Sequence, residues 1–217
     1  MDIDTGNMNR DTPNHVWTGI AIAAVLWLVM FSPWTSPGLN FWYAMSASAA
    51  VLIAVSTLFR RGWTDDFRPT PLRVAVGIAI AAVLWGVFWV GDVVSQWLFS
   101  FAGGQVDSIY AMKDDTSPAV IALLLLLLIG PAEEIFWRGF VQRSLMLRWG
   151  PDAGFLATTA VYALVHVWSG NFMLVMAALV VGFCWGLIYR LRPDSFTSLV
   201  VSHAVWDACA FVLFPFH

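Results

Sequence analysis

Long apolar runs broken by short polar turns dominate the chain. The runs lie near 16–31, 41–59, 74–99, 118–142, 152–168, 172–189 and 195–214. A helix needs about 20 mostly apolar residues to cross a bilayer. The pattern therefore predicts an all-α fold, a polytopic transmembrane helix bundle of about seven spans. The first and fifth runs are the shortest. Segment 100–117, FAGGQVDSIYAMKDDTSP, fits either a loop or a short interfacial helix.

Composition agrees with the pattern. The 217 residues are 59% hydrophobic and 12% charged, against about 25% charge in a soluble domain. A bundle of this size uses nearly the whole chain, so a single membrane domain is expected over 16–217. A polar, cytoplasmic N-terminal tail is expected over 1–15. That tail is acidic, unlike the basic start of a signal peptide, so Val16 onward reads as a retained span. The eleven Lys and Arg form no basic stripe, which argues against nucleic acid. Cys184 and Cys209 sit in apolar runs and read as buried thiols.

Charge placement gives an orientation. If seven spans alternate, Arg10, Arg60, Arg61, Arg68, Arg73, Arg143, Arg148, Arg190 and Arg192 share one side, and Lys113 takes the other. The excess of positive charge marks the cytoplasmic side. This puts the N-terminus in the cytoplasm and the C-terminus outside, in what reads as a bacterial inner membrane. Trp17, Trp34, Trp42, Trp63, Trp97, Trp149 and Trp168 fall near span ends and read as an interfacial belt.

Six ionisable residues within the apolar runs are the strong candidates: Glu133, Glu134, Arg138, His166, His203 and Asp207. Each costs about 2.5–3.5 kcal/mol on insertion scales, and such groups usually face a bundle interior. Glu134 and Arg138 are four apart and share a helix face, as a structural ion pair or as part of a site. Glu133 points about 100° away. It has no partner on its own helix, so a partner is expected from another. That is the setting of a general base. Gly130-Pro131 just upstream either kinks the span or opens a new helix. In the second case the glutamates would sit at a favourable helix N-terminus.

Depth links the six. At 1.5 Å per residue, Glu133 lies about 15 Å above Arg143 and His166 about 22 Å above Pro151. By the same rise, His203 and Asp207 lie about 13 and 20 Å above Asp194. Three helices thus bring two carboxylates and two imidazoles to one layer. From these depths, substrate access is expected from the membrane or from the cytoplasmic side.

The motifs EEIFWR (Glu133, Glu134, Arg138), YALVH (Tyr162 to His166) and HAVWD (His203 to Asp207) appear in that order. Together they resemble the CPBP family of intramembrane proteases, which includes Rce1-type CAAX prenyl endopeptidases and bacterial Abi-type proteins. The family pattern is EExxxR, FxxxH and HxxxN or HxxxD. The resemblance implies hydrolysis of a peptide bond in a membrane-associated protein or peptide. It makes Glu133 the general base, and His166 the residue that holds and polarises the water. It gives His203, with Asp207, the oxyanion. Arg138, paired with Glu134, would hold the first motif in shape. Tyr162 departs from the usual phenylalanine by a hydroxyl, and Asp207 stands where many members have asparagine. No cofactor is expected. The alternative is zinc on Glu133, His166 and His203 with a water.

Two other classes compete. Intramembrane Glu, His and Asp also build proton relays in transporters, but these usually show matching halves, and here all six groups lie in the second half. A non-catalytic membrane scaffold is the other alternative.

Overall fold

The computed structural model describes residues 15–60, 62–113 and 116–216. Arg10, Arg61 and all of the expected tail but His15 lie outside the described residues. Among the described residues eight helices of nine residues or more account for most of the structure, and there is no strand. They are α1 (His15–Phe31), α2 (Phe41–Phe59), α3 (Pro71–Leu98), α4 (Ala102–Tyr110) and α5 (Pro118–Trp149). Then come α6 (Pro151–Val165), α7 (Phe172–Leu191) and α8 (Pro193–Leu213).

Five of these, α2, α3, α5, α7 and α8, are long and apolar enough to cross a membrane. The two runs that looked shortest give α1, with 17 residues, and α6, with 15. Segment 100–117 contains the short helix α4, so its helical reading holds.

Local chemistry sets the ends. Asn40, Thr70 and Asn171 each accept a bond from the backbone N–H three residues on, capping α2, α3 and α7. Pro118 and Pro151 open α5 and α6 at positions where no N–H is needed. Gly150, at φ 87°, makes the turn between them.

Helix α5 runs past the expected end at 142 as far as Trp149. A helix has no reason to stop where hydrocarbon gives way to headgroups, and the next stop signal is Gly150-Pro151. Nor does Pro131 open a new helix. A π turn over Leu125–Ile129 precedes it, and Gly130 N–H closes onto Leu125 O. The extra residue in that turn accommodates a proline that has no N–H to give. The glutamates therefore sit inside a continuous helix, and no helix N-terminus acts on them. A second π turn spans Ile135–Gln142.

The core gathers around α5. Its Phe136, Trp137, Phe140, Val141 and Leu145 are all buried. Helices α2, α6 and α8 pack on it, and α8 also lies along α3. Helix α3 is peripheral and shows exposed Val83, Trp89, Val90 and Val93, a lipid-facing surface for an integral membrane protein. Trp34, Tyr43 and Trp97 are about 80% exposed at one end, as an interfacial belt requires. Trp42 is not part of it: it is buried and donates to Met112 O. Cys184 and Cys209 are free and half-buried.

The two ends are distinct. Arg60 donates to Gly139 O and pairs with Asp66, Arg68 N–H reaches Thr197, and Arg190 pairs with Asp152. These contacts draw the arginine-bearing turns together at one end. At the other, Asn171 bonds Gln105 O and Ser108, and Tyr110 bonds Ala210 O. Lys113 lies over the Tyr110 ring at that end.

Candidate active site

All six ionisable residues are held inside the bundle, and they divide into two linked groups. In the first, Glu134 is fully buried on α5. Its Oε1 accepts from Arg138 Nη1 at 2.8 Å, one turn on. The same oxygen meets His203 Nδ1 of α8, also at 2.8 Å. Arg138 adds a bond to Gly182 O of α7 at 3.2 Å and lies over the rings of Tyr162 and Trp185. The expected ion pair is present, and it does more than neutralise itself, because it grips the imidazole of another helix. His203 stacks on Trp185 with centroids 4.0 Å apart and planes 23° apart. Trp185 is in turn fixed by Ser202 at 3.0 Å.

His203 was paired with Asp207 from the sequence. That contact is the looser of its two, 3.5 Å from Nε2. Glu134 holds the Nδ1 side, so Nε2 is left between Asp207 and the cavity that His203 lines.

In the second group, Glu133 finds the partner from another helix that its isolation required. Tyr162 Oη of α6 donates to Glu133 Oε2 at 2.9 Å. The hydroxyl that separates Tyr162 from the usual phenylalanine thus makes a defined contact. His166, at the end of α6, meets Tyr162 O through Nδ1 at 2.7 Å. Its Nε2 lies 3.0 Å from Trp27 Nε1 of α1. A carbonyl only accepts and an indole N–H only donates. His166 is therefore the neutral Nδ1–H tautomer, with both nitrogens engaged.

This arrangement tests the two expectations for His166. A metal needs a free nitrogen lone pair, and the one on Nε2 is taken by Trp27. A zinc held by Glu133, His166 and His203 does not fit the residues as they stand. Among the described residues, no group of three His, Cys, Asp or Glu is arranged to hold a metal ion. The direct hold of His166 on a water meets the same obstacle.

Glu133, Tyr162, His166, His203 and Asp207 all line one cavity of about 530 Å³. Its other walls are mainly apolar and come from α1, α2, α3, α4 and α7. The cavity extends from Glu133 toward the lysine end, where Phe99, Val106, Tyr110 and Met112 line it. No lining residue belongs to the arginine-bearing turns. Below Glu133, α5 is closed by buried Phe136, Trp137 and Phe140. Between Glu133 and the arginine-bearing end, the helix thus presents buried side chains and no cavity lining.

Trp27, Trp185 and Ser202 were missed as site residues. Trp27 and Trp185 carried the same signal: each lies inside an apolar run, where its N–H still needs an acceptor. Ser202 carried none.

Comparison with protein families gives one match, to the description "Type II CAAX prenyl endopeptidase Rce1-like", over residues 115–209. Neither the curated proteins nor the solved structures returned a match. The matched segment holds all of α5, α6 and α7 and most of α8, and with them all three motifs. Over residues 115–209 this membrane protein is similar to the Rce1-like type II CAAX prenyl endopeptidases.

Proposed function

We propose that the chain is a glutamate-dependent intramembrane endopeptidase that cleaves a membrane-associated peptide with an activated water. The observation that carries this reading is the convergence of Glu133, His203 and Asp207 on one largely apolar cavity. Glu133 Oε2 is occupied by Tyr162, which leaves Oε1 to take a proton from water. The hydroxide so formed adds to the scissile carbonyl carbon, and the carbonyl π pair moves to oxygen. His203, whose Nδ1–H is held by Glu134, acts as the imidazolium and donates its Nε2–H to that oxyanion, with its ring fixed against Trp185. Asp207 orients the imidazole from the next turn. Collapse of the tetrahedral intermediate breaks the C–N bond, and Glu133 returns its proton to the departing amine.

His166 acts at one remove. Its Nδ1–H fixes the Tyr162 backbone, and Tyr162 in turn fixes Glu133. Arg138 keeps Glu134 in place for His203. No step requires a metal. The closed core beneath Glu133 favours hydrolysis over proton conduction through the bundle.

The test is purified protein in proteoliposomes with a panel of membrane-tethered peptides, wild type against Glu133→Gln, each with and without chelator. Removing the base is expected to lower the cleavage rate by about 10²–10⁴ while thermal stability changes little. Chelator is expected to leave wild-type cleavage intact. Cleavage by the Gln variant at the wild-type rate would remove the base assignment.

A further inference from the structure

The two ends of the bundle differ in charge, and the cavity belongs to only one of them. The described arginines other than Arg138, namely Arg60, Arg68, Arg73, Arg143, Arg148, Arg190 and Arg192, lie toward the end where α5 meets α6. The cavity rises from Glu133 to the opposite end, beneath α4. On its wall, Val94 and Leu98 of α3 and Phe172 of α7 are each more than a third exposed, and this marks its mouth. Helix α4 spans from α3 to α7 above that mouth. It is tied to α7 by Asn171 on Gln105 and Ser108. Positive charge is retained on the cytoplasmic side of a membrane.

We infer that the cavity is a lateral port opening in the extracytoplasmic half of the bilayer, and that the substrate is an apolar peptide segment held in the outer leaflet. This deepens the protease reading and rests on it for the identity of the occupant. The apolar walls suit a segment arriving from lipid, where an aqueous peptide would have to shed its water. Glu133 and His203 lie at the floor of the cavity, so the scissile bond has to enter from the mouth. A segment in the cytoplasmic leaflet is separated from Glu133 by the buried side chains of Phe136, Trp137 and Phe140.

The port is tested without any substrate. Single cysteines are placed at Val106 in α4 and at Asp194 in the first turn of α8, in full-length protein with Cys184→Ala and Cys209→Ala. Ile109→Cys serves as a second reporter on the cavity wall. Intact bacterial cells are treated with a membrane-impermeant maleimide. Val106→Cys and Ile109→Cys are expected to label in intact cells, and Asp194→Cys only after permeabilisation. The reverse pattern, or equal labelling of both ends in intact cells, overturns the inference. The protease reading fails separately, if the labelling is as expected and no tethered peptide is cleaved.

Discussion

At the scale of single residues, the site is built from side chains that hold one another. Glu134 shows this most clearly. Its Oε1 serves both Arg138 and His203, so a pair that looked self-contained in one helix reaches into another. His166 shows the cost of such engagement: with Tyr162 O on one nitrogen and Trp27 on the other, it has no lone pair for a metal or a water. Trp27→Phe keeps most of the ring but withdraws the N–H. The buried Nε2 then loses its partner, which costs about 1–3 kcal/mol. A fall in thermal midpoint is expected, read by fluorescence-monitored unfolding in detergent. Cleavage is expected to fall less than in Glu133→Gln, because Trp27 touches no reacting atom. An unchanged midpoint would show that the indole bond contributes nothing.

At the scale of elements, the close approach of α5 to α8 aligns the two groups. A Cβ on Gly130 would lie 2.7 Å from Ala204 Cα and 2.8 Å from Ala204 N, so only glycine lets the backbones come this near. Ala204 follows His203 directly, and Glu133 and Glu134 are one turn below Gly130. Gly130→Ala is therefore expected to push α8 outward and lengthen the contact between Glu134 and His203. Overfilling of this kind costs about 1–3 kcal/mol. Cleavage is expected to drop with it, and a variant with wild-type rate and stability would refute the close-approach argument. Glycine before a proline is readable from the sequence as an interruption. What it interrupts for is not, since the π turn and the contact with α8 depend on a helix 70 residues away.

At the scale of the whole molecule, the two halves differ in density. The arginine half is filled by side chains such as Trp137, Phe140, Leu145 and Phe196, all buried. The lysine half contains the cavity and is spanned by α4, whose residues are mostly part-exposed. Amides with little buried apolar contact open more readily. Hydrogen exchange in lipid nanodiscs is expected to be faster in 102–110 than in 137–145, and equal protection would contradict the asymmetry. The family match begins only at residue 115, yet α1 supplies Trp27 to His166, and α2 and α3 line the cavity. The site is thus larger than the segment that carries the motifs.

The sequence alone determined the membrane class, the helical fold, the segregation of its charged turns and the six ionisable residues that its apolar runs carry in the second half. Each of these follows from local composition: an apolar run must be helical in lipid because its backbone has no other partner there, and a buried charge is conspicuous wherever it falls. Only the tertiary structure decided who pairs with whom. It gave Glu133 a tyrosine, Glu134 two donors, His166 an indole donor on Nε2, and the cavity its extension away from the arginines. Those choices depend on rotation and contact between helices far apart in the chain, and spacing along any one helix carries no record of them.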